Sequence, residues 1–181
     1  RAWDWCVTHQ FDDPDNPIMI ISNSFGGGQF ENACDDFSPV MTLAANKCLQ
    51  AGITIFAASG NDGFENALSA PACISSVVSV GAVYDSNIGP TAVDETTAAD
   101  QVTDYSNSSS LLDLLAPSDN AYTADILGAG GYNTAMSPAG DYYPYFNGTS
   151  AACPYAAGAA ACLQQASMAL QGEYLTPHRV R

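Results

Sequence analysis

Phe146-Asn147-Gly148-Thr149-Ser150-Ala151-Ala152-Cys153-Pro154-Tyr155-Ala156-Ala157-Gly158 stands near the C-terminal end of a 181-residue chain. Thr149 or Ser150 is expected to cap a helix, Pro154 to fall in its opening turn, and residues 156–163 to continue it with small and apolar side chains. A helix that is apolar nearly all round is expected to be buried. A serine at its mouth has its hydroxyl and backbone N–H at the positive end of the helix dipole. Negative charge developing on a nearby oxygen is favoured there, so Ser150 is a candidate nucleophile.

Two strand-and-loop units lie upstream. Ile18-Met19-Ile20-Ile21 reads as a fully buried strand running into Ser22-Asn23-Ser24-Phe25-Gly26-Gly27-Gly28, whose glycines let another backbone come close. Residues 38–51 carry Val40, Leu43, Ala44, Cys48 and Leu49 at helical intervals, and Gly52 closes that helix. Ile53-Thr54-Ile55-Phe56-Ala57-Ala58 is a second buried strand, delivering Ser59-Gly60-Asn61-Asp62-Gly63. Ser69-Ala70-Pro71 then leads into a strand over residues 77–82. Strands alternating with helices predict an α/β fold, a mostly parallel sheet with helices on both faces and its sites at the strand ends.

The pattern Gly-Thr-Ser-x-Ala-x-Pro-x-x-Ala-Gly resembles the catalytic-serine signature of the subtilisin-like serine peptidases. It lacks the final glycine of an α/β-hydrolase elbow. The resemblance implies that Ser150 is the nucleophile and that the Asn61 amide donates to the oxyanion. It further implies that Ser24-Phe25-Gly26, with Phe25 in place of the usual leucine, binds the substrate main chain as an added strand. On the same resemblance Ser69, Ala70 and the stretch Ala57, Ala58, Ser59 and Gly60 line the pocket for the residue before the scissile bond. The Ala70–Pro71 bond is the candidate for a cis peptide. Thr103-Asp104-Tyr105-Ser106-Asn107 resembles the family's Ser-Phe-Ser strand. Leu111-Leu112-Asp113-Leu114-Leu115-Ala116-Pro117 resembles its Asp-Val-x-Ala-Pro-Gly segment, with Ser118 where the glycine would be.

Between these motifs, residues 84–107 read as a polar insertion or surface connection, and residues 121–145, rich in glycine and tyrosine, as a hairpin or irregular loop. Asn107-Ser108-Ser109 and Asn147-Gly148-Thr149 are formal glycosylation sequons, the second overlapping the serine turn. No internal repeat or low-complexity linker divides the chain, so one domain is expected.

Composition limits the partners. Nineteen acidic residues against four basic ones give a net charge of −15, which disfavours nucleic acid and anionic membrane. No apolar run reaches the length of a membrane span. The acidic surface suits a secreted protein and is compatible with a structural calcium, although Asp12-Asp13-Pro14-Asp15 lacks EF-hand spacing and reads as a solvated turn. No cofactor is expected in the chemistry. The six cysteines show no zinc-ligand spacing and allow 15 pairings, none of which the sequence selects.

The family's triad order is Asp, His, Ser. Neither His9 nor His178 lies in a matching segment, and both read as solvated helix-end residues. Residues 1–9 read as the end of a helix, and Thr176-Pro177 as the start of one that the chain leaves after a few residues. The expectation is therefore the C-terminal part of a peptidase domain, incomplete at its N-terminal side. Its Asp and His would lie upstream, and that upstream segment would be a partner beside the peptide or protein substrate. The alternative is a catalytically silent domain of the same kind that binds peptides by strand addition along residues 24–28. An esterase pairing Ser150 with His178 would need the intervening helix to bring them together.

Overall fold

The computed structural model describes residues 1–91, 93–94, 96–126, 130–133 and 142–181. The chain runs α1 (Ala2–Thr8), β1 (Ile20–Asn23), β2 (Gly27–Phe30), α2 (Pro39–Gln50), β3 (Thr54–Ala58), β4 (Leu68–Ala70), β5 (Val78–Tyr84), β6 (Leu114–Ser118), β7 (Ala121–Ala124), β8 (Tyr142–Phe146), α3 (Thr149–Gln171) and α4 (Pro177–Val180). Four strands form a parallel sheet in the order β1-β3-β5-β6.

The central strands are apolar on both sides because both sides are covered. Ile55 and Ala57 of β3 belong to one core cluster with Trp3 of α1 and Ala44, Ala45 and Cys48 of α2. Their neighbours Phe56 and Ala58 point the other way, into a second cluster with Ala152, Cys153, Ala157 and Ala160 of α3. Helices on both faces of a parallel sheet are thus what the alternation of β3 produces.

Several details differ from expectation. β1 is half-buried rather than fully buried, since among the described residues it has a strand, β3, on one side alone. α3 buries one stripe, Cys153, Ala157, Ala160, Gln164 and Ser167, spaced three and four residues apart. Its other side leaves Tyr155, Leu163 and Leu170 exposed, since the sheet covers only one face. The N-cap of α3 is Gly148, at φ 89°, so neither Thr149 nor Ser150 takes that place, and Pro154 lies inside the helix, past its opening turn. Residues 103–107 form no strand. They make a turn beyond the isolated bridge between Val83 and Val102, and Ser106 Oγ accepts the Ala82 N–H.

Other expectations are met. α2 begins after Ser38 and ends at Gln50, with Ala51 as its C-cap and Gly52 at φ 81°. Ala70–Pro71 is cis. β7 and β8 pair as an antiparallel hairpin, and most of the stretch between them lies outside the described residues. Cys34 and Cys73 form a disulfide, a pairing the sequence does not select, while Cys6, Cys48, Cys153 and Cys162 are free. In the acidic loop, Asp13 accepts from the Asp15 N–H and from Asn16, and Asp12 pairs with His9, as a self-bonded turn does.

Candidate active site

The parallel strands bring their C-terminal ends to one edge of the sheet, and three loops meet there. Ser24 follows β1, Asn61 follows β3, and Ser150 opens α3. Ser24 and Ser150 are 126 residues apart in sequence yet hydrogen-bond twice. The Ser150 hydroxyl donates to the Ser24 carbonyl at 3.2 Å, and the Ser24 hydroxyl donates to the Ser150 carbonyl at 3.0 Å. The second bond has a local cause. A residue at position 154 would normally donate its N–H to the carbonyl four residues back, but Pro154 has none, so the Ser150 carbonyl is left for Ser24.

Asn61 is joined to α3 through the residue before the serine. Its Oδ1 accepts the Thr149 N–H and the Thr149 hydroxyl, both at 2.8 Å. The N–H of a helix's first residue has no acceptor within the helix, so the asparagine supplies one. That pairing also fixes which end of the amide is oxygen, because a backbone N–H needs an acceptor. The Nδ2 group is thereby turned toward Gly148, where an added Cβ would come within 3.1 Å of it. Ser150 is the second residue of α3 and half-exposed, so its N–H is another donor without an intrahelical partner. Two donors and one hydroxyl thus converge on the same turn.

The loop that carries Asn61 is held from beneath by Asn107, which is fully buried. Its Oδ1 accepts the N–H groups of Asp62 at 2.9 Å and Phe64 at 3.1 Å, while its Nδ2 donates to the Ser59 carbonyl and to Ser69 Oγ. Gly60, at φ 113°, makes this approach feasible. A Cβ there would sit 2.1 Å from Asn107 Nδ2 and 2.5 Å from Ser69 Oγ. As Asn107 is enclosed, its sequon is closed to a glycan in the folded chain. Thr149, also fully buried, accepts the Gly60 N–H on its hydroxyl at 3.3 Å. Sequence reading singled out neither Asn107 nor Thr149 for these tasks. The only available signal was their place beside Ser106 and Ser150 in the two motifs.

The remaining candidates fall into two groups. Ser24, Phe25 and Gly26 are exposed along the loop after β1, and Gly26 lies so close to the Ala70 carbonyl that a Cβ would be 2.3 Å from it. Ala58, Ser59 and Ser69 are buried, and Gly60 is partly open. Ser69 Oγ donates to the Gly28 carbonyl, tying β4 to its antiparallel partner β2. Neither histidine joins the site. His9 stacks on Trp5 and pairs with Asp12, and His178 is exposed on α4. Among the described residues no group of three or more His, Cys, Asp or Glu side chains is placed to hold a metal ion.

A family model described as the subtilase family matches residues 2–181. The serine protease AprX of Bacillus subtilis is 29% identical over 188 residues, covering 98% of this chain and 39% of that protein. An extracellular protease of Xanthomonas campestris is 32% identical, covering 82% of this chain and 21% of its own length. Among solved structures, a cold-adapted subtilisin-like serine proteinase superposes with a TM-score of 0.65 at 26% identity, over 98% of this chain and 49% of the other. The chain therefore spans less than half the length of these two curated relatives.

Proposed function

The chain belongs to the subtilase family of proteases, and from that premise we propose that it supplies the nucleophile and oxyanion site of a serine endopeptidase. The single observation that carries the reading is the pair of hydrogen bonds from Thr149 to Asn61 Oδ1, which turns the amide donor toward the Ser150 turn. In this reading Ser150 Oγ attacks the scissile carbonyl carbon. A histidine upstream of this chain, oriented by an upstream aspartate, takes the hydroxyl proton and returns it to the leaving amine. The carbonyl oxygen, negative in the tetrahedral intermediate, accepts from Asn61 Nδ2 and the Ser150 N–H. Water then attacks the acyl-enzyme and regenerates the hydroxyl.

The substrate chain lies along Ser24, Phe25 and Gly26, whose exposed backbone offers the edge that strand addition needs. Ala58, Ser59, Gly60 and Ser69 form the wall beside the residue before the cut. That wall is small and uncharged, which favours an apolar or aromatic side chain. The disulfide and the strongly acidic composition support a secreted enzyme. No described helix is long and apolar enough to cross a membrane.

The test is hydrolysis of a mixed peptide library by the protein that contains this chain, beside its Ser150→Ala variant. Cleavage lost in the variant is the expected result. A protein that binds peptides with Ser150 intact and cleaves none would instead be the silent binding domain.

A further inference from the structure

Behind the serine turn lies a second polar cluster that the proposed chemistry does not use. Tyr105, Ser118 and Asp119 come from two segments that meet under Gly148. Tyr105 Oη is 3.0 Å from Asp119 Oδ2 and 2.9 Å from Ser118 Oγ. Ser118 Oγ donates to the Gly148 carbonyl at 2.9 Å, and the Gly148 N–H donates to Tyr105 Oη at 3.3 Å. The backbone N–H and carbonyl of Gly148, one in each of the two peptide units that flank it, are thereby both gripped by side chains. Ser118 and Asp119 are buried. Tyr105 and Ser118 are also positions where the chain departs from the segments it resembles, which have phenylalanine and glycine.

Counting protons shows what the cluster requires. Three contacts, Asp119 to Tyr105, Tyr105 to Ser118, and Ser118 to the Gly148 carbonyl, each need one donor hydrogen. With Asp119 ionised, only the Tyr105 and Ser118 hydroxyls supply one, so Tyr105 must choose between Asp119 and Ser118. With Asp119 protonated, its O–H donates to Tyr105, Tyr105 to Ser118, and Ser118 to Gly148, and every contact is filled. Tyr105 Oη still has a lone pair for the Gly148 N–H.

We propose that Tyr105, Ser118 and Asp119 are positioning residues for the nucleophile, a donor chain that fixes the backbone on both sides of Gly148 and is completed when Asp119 carries its proton. Gly148 caps α3, so its orientation sets the first turn on which Ser150 stands. The catalytic consequence rests on the peptidase reading above, whereas the grip on Gly148 does not. Burial, first, and the charges of Asp85 and Asp104 raise the Asp119 pKa, while its bond with Tyr105 opposes them. Tyr105, Asp85 and Asp104 are the titratable groups that act on it among the described residues. Tyr105 itself is pushed up to about 12, chiefly by burial, and so keeps its hydrogen.

The experiment uses the protein that contains this chain, with Tyr105→Phe and Asp119→Asn variants. Asparagine is a permanent N–H donor to Tyr105 and tolerates the positive φ of 63° found at position 119. Hydrogen exchange of the peptide spanning residues 142–153 comes first, since it needs no activity. Tyr105→Phe is expected to speed exchange at Gly148 roughly three- to tenfold, the loss of about one hydrogen bond. In peptide hydrolysis, Tyr105→Phe is expected to lower kcat by a similar factor with KM unchanged. The kcat ratio of Asp119→Asn to wild type should rise from near one in acid to a few-fold as Asp119 ionises in the wild type, the ratio cancelling the histidine limb common to both. Unchanged exchange at Gly148 in Tyr105→Phe overturns the proposal whether or not peptides are cleaved. Faster exchange with a pH-independent ratio overturns the role of the Asp119 proton. Faster exchange in a protein that cleaves nothing supports the grip and removes the peptidase reading instead.

Discussion

Asn61 Oδ1 accepts two hydrogen bonds from Thr149, one from its N–H and one from its hydroxyl, each at 2.8 Å. One side-chain oxygen therefore does the work of a helix cap and of an aiming device, since fixing it leaves Nδ2 directed at the serine turn. The two halves of the amide can be separated by mutation.

Asn61→Asp keeps the acceptor and removes the donor. A carboxylate at a helix N-terminus is favoured by the dipole, so thermal stability should be kept or slightly raised. Turnover should fall about 100- to 1000-fold with little change in KM, a scale carried over from subtilisin, the type case, rather than obtained from this geometry. Steady-state kinetics beside a melting curve check both halves.

Thr149→Val removes the hydroxyl while nearly preserving shape. The Gly60 N–H then loses its acceptor and Asn61 loses one of its two tethers. A loss of about 1–3 kcal/mol in folding stability is expected, measured by denaturant titration. Turnover should drop as well, because the Asn61 amide is then held by the Thr149 N–H alone.

Asn107→Ala should be the more damaging change. It strands the N–H groups of Asp62 and Phe64 and empties the space under Gly60. The expected cost is about 2–4 kcal/mol, again by denaturant titration. A glycan at Asn107 of the folded protein would contradict its enclosure, and intact-mass measurement would reveal one.

Asp119→Asn predicts a pH dependence of stability. Burial raises the folded-state pKa of Asp119 above 3.8, so the folded state holds this proton more tightly than the unfolded chain does. The stability it confers is fully present below pH 3.8 and is lost as pH rises through the folded value. The asparagine variant should therefore melt higher than wild type near neutral pH, the gap closing in acid. A gap that widens in acid would contradict this sign.

The cysteine count is equally direct. In denaturant without reductant, Cys6, Cys48, Cys153 and Cys162 should titrate as four thiols, and in the native chain only Cys162 should react quickly, being the one exposed. The Cys48 thiol is buried and pushed up to about 11, which slows it further. Breaking Cys34–Cys73, which closes a loop 39 residues long in sequence, should cost about 2–4 kcal/mol.

Much of the architecture was legible because apolar runs and glycine stops are local signals. Residues 53–58 read as a strand, 38–51 as a helix, and both hold. What could not be read were the consequences of neighbours. β1 is apolar enough for an interior strand, yet among the described residues β3 alone pairs with it, and pairing order is not written in its own four residues. α3 was expected to begin one or two residues later, because Thr149 and Ser150 are good caps in isolation. Their side chains are instead committed to Asn61, Gly60 and Ser24. Asn107 carried no signal beyond a sequon and its place beside Ser106, since its partners on the Asn61 loop lie 45 and 43 residues away in the chain.

The central claim is that Ser150 is a nucleophile aimed by the Asn61 loop. The most direct measurement is intact-mass spectrometry of the protein that contains this chain, before and after a fluorophosphonate probe, with the adduct mapped to its residue. A single adduct on Ser150, absent in Ser150→Ala and much slower in Asn61→Asp, is the predicted result. A folded protein with an upstream histidine and aspartate in place that takes no adduct, or takes it on another residue, would contradict the account.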